Sequence, residues 1–344
     1  MAKRTVSRRH MLSAGSVALA SALARPAIGQ GRIKLIVQSY GGLYEQVLRQ
    51  SVIPEFEKQH GYDVTLALDD DPTIMSKLVL ARGRAPYDVV SVDNNTAVLA
   101  DSLGLWAPDQ SAKLSNIGEI YDSCKPPLSR NYAYVIYQYP LVYNRERIKN
   151  PSAWKDLWND GVVVAVPHVG QAYGLTFLYI AALMNGGSAT NLDPGFEAIK
   201  RLKRIKIFKN VSQGMSLFQQ NEVDAGLFYD TRAQQMADMG LPIAKAYPQD
   251  GNWGQRTGTQ IPKLSANMDG ALAWINNSLS IAYQTAFAQK LYSPTNRDVV
   301  VPPELAAKLI RGDARANAIQ EIPWGPINSQ RDAILDRWTR EFGA

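Results

Sequence analysis

Short apolar runs alternate with amphipathic stretches along most of the chain. Ile33-Lys34-Leu35-Ile36-Val37 reads as a strand, Gly41-Gly42 as a loop, and Tyr44 to His60 as a helix in which Val47, Leu48 and Phe56 recur at helical spacing. Pro54 predicts a kink in that helix, and Gly61 stands where a left-handed C-cap belongs. Val64, Leu66 and Leu68 alternate as a second strand. Asp71-Pro72 predicts a helix start with Asp71 as N-cap and the helix reaching Gly83, and Tyr87 to Val92 forms a third strand. This β-α-β-α-β order predicts a parallel sheet.

The same grammar returns further on. Tyr132 to Tyr143 is extended, Val162 to Val166 reads as a buried strand, and helices are expected from Ala172 to Met184 and from Pro194 to Arg204. Val223 to Tyr229 forms a strand that runs into a helix through Ala233 and Met236. Trp253 to Ile261 is extended, Asp269 to Leu279 helical, and Gln330 to Phe342 a terminal amphipathic helix with Ile334, Trp338 and Phe342 on one face. Two α/β units therefore follow one another.

The apolar run from Met11 to Ala24 is of another kind. It follows the twin arginine Arg8-Arg9 and ends in the small residues Ala27-Ile28-Gly29, which together read as an export signal over residues 1–29 of the type used for folded cargo. The run is shorter than the roughly 20 residues that span a bilayer, and Pro26 interrupts it. Removing this segment takes away Lys3, Arg4, Arg8, Arg9 and Arg25, so the net charge of +6 becomes +1. The mature surface has no electrostatic footprint for nucleic acid. Cys124 is the only cysteine, so no intramolecular disulfide forms, and an exported chain of this length and 46% hydrophobic composition suits two domains with separate cores.

Catalytic patterns are missing. The histidines after the signal, His60 and His168, lie far apart in sequence, and no zinc spacing, nucleophile elbow, phosphate loop or dinucleotide fingerprint is present, so neither a metal nor a cofactor is expected. Asp69-Asp70-Asp71 reads as a solvated acidic turn. Polar and aromatic residues instead collect just after the expected strands, where open α/β sheets bind ligands. Ser39, Tyr40 and Tyr44 follow the first strand, and Asp93, Asn94 and Asn95 the third. Gln171 and Tyr173 follow the Val162 strand, and Tyr229, Asp230 and Thr231 follow the Leu227 strand. Tyrosines with carboxylates from opposite sides of a cleft suit an organic cation. The residues leave packing roles open for Tyr40 and Tyr229, and helix capping for Asp230.

The order and spacing of Ser39-Tyr40-Gly41-Gly42, Tyr87-Asp88-Val89-Val90, Pro151-Ser152-Ala153-Trp154-Lys155-Asp156-Leu157-Trp158 and Val223-Asp224-Ala225-Gly226 resemble the extracellular solute-binding proteins of ABC importers, in particular their spermidine/putrescine-binding branch. The resemblance implies a periplasmic-binding-protein type II-like α/β fold, with two lobes hinged around a ligand cleft. Lobe 1 is expected at 30–134 plus 259–298, and lobe 2 at 135–258 plus 299–344. It implies a periplasmic monomer that captures a small-molecule solute, here expected to be a small organic amine, either polyamine-like or an amino-acid-derived cation, and hands it to an inner-membrane permease without changing it. The expected ligand residues are Ser39, Tyr40, Tyr44, Asp93, Asn95, Gln171, Tyr173, Tyr229 and Asp230, with Trp253 and Gln255 from the late strand. That strand reads Trp253-Gly254-Gln255-Arg256-Thr257 where polyamine binders carry an acidic residue, and Tyr229-Asp230 lacks the paired tyrosines of ferric binders. Arg232 and Arg256 keep open a carboxylate or phosphonate ligand.

Overall fold

Three sheets organise the chain from Ile33 onward. Strands β1 (Ile33–Ser39) and β2 (Tyr62–Leu68) pair with each other, and β1 is tied to the next strand region by a parallel bridge between Val37 and Val89. A four-stranded sheet has the order β11-β4-β10-β3, built from β3 (Val90–Asp93), β4 (Tyr132–Gln138), β10 (Gly254–Gln260) and β11 (Ser293–Pro294). A five-stranded sheet has the order β7-β6-β8-β5-β9, built from β5 (Leu141–Asn144), β6 (Val164–Pro167), β7 (Ile205–Phe208), β8 (Ala225–Leu227) and β9 (Ile243–Ala246). The computed structural model describes residues 32–127, 129 and 131–343, so the export signal expected over residues 1–29 lies outside the described residues. Among the described residues no helix is long and apolar enough to cross a membrane.

The parallel sheet expected of the first three strands is realised only in part: β1 pairs with β2 and bridges Val89 in parallel, while β3 itself joins the antiparallel four-stranded sheet. In the five-stranded sheet β6 runs parallel to β7 and β8, whereas β5 is antiparallel to β8 and β9. The four-stranded sheet is antiparallel throughout, because β10, arriving late in the chain, inserts between β3 and β4. Alternation of strands and helices fixes what each segment is. It does not fix which distant strand takes the neighbouring hydrogen bonds.

Buried strands explain the apolar runs: β4 is buried at every position, as a central strand covered on both faces must be. The long extended segment expected from Tyr132 to Tyr143 is two strands in two different sheets, so the chain passes between sheets at Tyr139-Pro140. It passes back between Ala246 and Gly254.

Local signals mostly hold. The helix after the first strand carries a wide π turn, Leu48–Val52, directly before the Ile53–His60 segment with Pro54 in its first turn, and Gly61 caps it at φ 72°. One capping assignment is corrected. Asp70, not Asp71, is the N-cap of the helix Asp71–Leu80, its carboxylate accepting the Thr73 N–H at 3.1 Å, and the helix stops at Leu80 rather than Gly83. That shift by one residue turns Asp71 into the first helical residue and frees its side chain. The terminal helix Arg331–Phe342 buries Ile334 and Trp338, with the Trp338 ring 5.8 Å from that of His168 and 6.4 Å from that of Phe196.

Candidate functional site

Loops at the ends of β1, β3, β6 and β8 converge on a cleft with two adjoining chambers, of about 280 Å³ and 210 Å³, which share Tyr40, Asp93 and Tyr229. Asp93 ends β3 and is the N-cap residue of the helix Asn94–Ser102, yet its side chain makes no capping bond. It faces its sheet neighbours instead. The antiparallel register sets Thr257 opposite Asp93, and the Thr257 hydroxyl donates to Oδ1 at 2.6 Å while the Tyr137 hydroxyl donates to Oδ2 at 2.8 Å.

Asp71 comes to the same chamber from the first turn of its helix. The Tyr40 hydroxyl donates to its Oδ1 at 2.7 Å, and the Thr96 hydroxyl donates to Oδ2. Burial, and then the charge of Asp93, push the Asp71 carboxyl up to about 7, and burial likewise raises Asp93. Two carboxylates in one desolvated site compete for protons, so a cation arriving between them relieves both penalties.

The opposite wall is built from the five-stranded side. His168 does not reach the cleft walls; its Nδ1 accepts the Gly170 N–H at 2.9 Å and shapes the turn after β6. The helix Ala172–Leu183 packs so closely under this turn that a Cβ on Gly174 would lie 2.0 Å from the His168 carbonyl oxygen. That close approach sets Gly170, Gln171 and Ala172 into the first chamber. Tyr229 projects from the end of β8 as the N-cap residue of the helix Asp230–Asp238, its ring 5.2 Å from Tyr137 and 5.2 Å from Tyr173 in edge-to-face contacts. Burial is the first cause that raises its hydroxyl well above the ordinary tyrosine range, so it stays a neutral donor. Arg331, at the start of the terminal helix, lines the first chamber and donates to the Gly170 carbonyl oxygen at 3.0 Å.

Of the residues expected from sequence, the structure brings Tyr40, Tyr44, Asp93, Asn95, Gln171 and Tyr229 to the chamber walls. The others lie behind them. Ser39 is fully buried at the end of β1, and Tyr173 stacks on Phe208 behind Tyr229. Gln255 donates to the Asn95 side-chain oxygen at 2.9 Å and so supports it. Trp253 packs edge-on against Tyr179, 5.3 Å away. Asp230 is buried and turned from both chambers although its neighbours Tyr229 and Thr231 line them; burial pushes its carboxyl up to about 6 against the pull of Lys245.

Asp71, Arg331, Tyr137, Thr257 and Tyr292 also line the chambers, although none was expected there. Asp71 had a signal, since Asp70 is an equally good cap and leaves the next carboxylate unassigned. Arg331 had none, because only the docking of the terminal helix carries it to the cleft.

The bacterial extracellular solute-binding protein family matches residues 41–285. The spermidine/putrescine-binding periplasmic protein of Escherichia coli is 21% identical over 323 residues, covering 90% of this chain and 88% of the relative. The fold is that of an ABC transporter protein from Clostridium perfringens, with a TM-score of 0.78 at 23% identity over 89% of this chain and 99% of the other. A spermidine/putrescine ABC transporter substrate-binding protein from Streptococcus pneumoniae superposes with a TM-score of 0.72 at 18% identity, covering 90% of this chain and 99% of the other. The chain therefore belongs to the bacterial extracellular solute-binding proteins, substrate-binding components of ABC transporters that hold a solute without chemically changing it.

Proposed function

We propose that this chain captures a small organic amine in the cleft and presents it to a membrane permease as a closed, ligand-bound monomer after export through the twin-arginine signal. One observation carries the reading: Asp71 and Asp93 line the same chamber as Tyr40 and Tyr229. Carboxylates accept charge-assisted hydrogen bonds from an ammonium, and each aromatic face adds about 0.5–2 kcal/mol of cation–π attraction. The distant relatives named for spermidine and putrescine support the amine class.

The two lobes are taken to divide where the chain changes sheets, at Tyr139-Pro140 and between Ala246 and Gly254. The boundaries expected at 134/135 and 258/259 fall inside β4 and β10. A third crossing follows Asn328, whose side-chain amide donates to the Asn95 carbonyl oxygen at 2.8 Å before the terminal helix packs against His168 and Phe196. A ligand touching both sides then favours the closed state by its differential affinity.

Thermal unfolding of the protein against amines, amino acids, carboxylates, phosphonates and a ferric salt tests the class. A ligand at 100 times its dissociation constant adds about 2.7 kcal/mol of stability. Stabilisation by carboxylates or phosphonates alone, with no response to any amine, would overturn the reading.

A further inference from the structure

We propose that the captured amine carries a carboxylate at its far end, and that Arg232 in the second chamber receives it; this rests on the amine reading of Asp71 and Asp93. The two chambers differ in charge, the first being acidic and the second balanced. The first is lined by Asp70, Asp71 and Asp93 with Arg331, while in the second the charged residues are Asp93, shared with the first, and Arg232. Arg331 faces Asp71, whose charge offsets its own. Arg232 has no such partner: half-buried, it donates to the Gln235 side-chain oxygen at 2.8 Å and to the Tyr292 hydroxyl at 3.3 Å, and among the described residues no carboxylate lies within ion-pair distance of it.

A guanidinium has five N–H donors in a planar fork. Two neutral oxygens leave both its charge and part of that fork unused, and a partly desolvated cation without a counter-ion is costly. A bidentate carboxylate is the group that satisfies both deficits. The Thr231 side chain and the Tyr44 and Tyr292 rings flank the same space, so the second chamber sets a guanidinium and aromatic rings beside the Asp93 that it shares with the acidic first chamber. A straight-chain ω-amino acid matches that polarity. A diamine of equal length would bring its second ammonium against Arg232, a like-charge contact that specificity by repulsion exploits.

Calorimetric titration of the full chain with straight-chain ω-amino acids of four to six carbons, the α,ω-diamines of equal length and the corresponding monocarboxylates tests this. The amino acid is expected to bind at least about tenfold tighter than its matched diamine. Arg232→Gln should weaken amino-acid binding by at least about tenfold while leaving the diamine unchanged or tighter, and Arg232→Lys should recover part of the loss. A diamine that binds the wild type as tightly as the amino acid overturns the proposal, as does an equal loss for both ligands in Arg232→Gln with unaltered unfolding of the free protein. If a diamine binds tightly and Asp93→Asn abolishes that binding, the carboxylate end fails and the amine reading survives. Binding of monocarboxylates alone, or of no class, removes both.

Discussion

On the four-stranded side of the cleft the carboxylates arrive already hydrogen-bonded, Asp93 to Tyr137 and Thr257 and Asp71 to Tyr40 and Thr96. On the five-stranded side the wall is Tyr229, Gln171 and Thr231 with Arg232, and the tyrosine is positioned by ring contacts with Tyr137, Tyr139 and Tyr173. The first side holds two carboxyl groups at fixed points; the second supplies an aromatic face and a cation. Preorganised carboxyl groups on one side and a packed aromatic surface on the other are the two parts that the proposed capture and closure would use.

The sharpest break in that comparison is Asp93→Asn set against Asp230→Asn. Losing a charge-assisted contact costs about 1.5–3 kcal/mol, so Asp93→Asn should weaken a cationic ligand by about 100-fold in calorimetry. Asp230 faces Lys245 rather than the chambers, and its substitution should change affinity by less than about threefold. Equal losses would erase the distinction between a carboxylate that lines the cleft and one that only lies beside it in sequence.

Tyr229→Ala comes next, with an expected loss of about tenfold, while Tyr229→Phe keeps the face and should lose much less. If the two variants behave alike, the hydroxyl rather than the ring is what the five-stranded side contributes.

A smaller effect follows from Asp71. With its folded value near 7, above the ordinary carboxylate range, the native state binds a proton that the unfolded chain releases, so stability of the free protein declines as pH rises from about 4 through about 7. A bound cation favours the ionised form. Affinity should therefore rise by about fivefold between pH 6 and pH 8 with release of a proton, and Asp71→Asn should flatten the profile. Calorimetry in buffers of different ionisation enthalpy reads that proton directly. The smallest effect is expected at Ser39, whose buried hydroxyl has no hydrogen-bond partner among the described residues: Ser39→Ala should change stability by no more than about 0.5 kcal/mol in denaturant unfolding.

The site was legible to the extent that strand ends announce themselves. Tyr40, Asp93, Gln171 and Tyr229 each follow an apolar run, and each reaches a chamber wall. Asp230 shows the limit of that signal. Tyr229 is an extended N-cap residue and Asp230 the first residue of the helix, so the backbone changes direction between them, and Tyr229 and Thr231 line the cleft while Asp230 is buried away from it.

By itself the sequence determined the order of strands and helices, the left-handed turn at Gly61, and the apolar faces of the terminal helix, because backbone sterics and hydrophobic periodicity act over a few residues. Only the tertiary structure decided that β10 would lie antiparallel between β3 and β4, setting Thr257 against Asp93, and that Asp71 and Arg331 would meet in one chamber. Those contacts join segments far apart in the chain, and their geometry is settled by packing and by the cost of leaving buried polar groups unpaired.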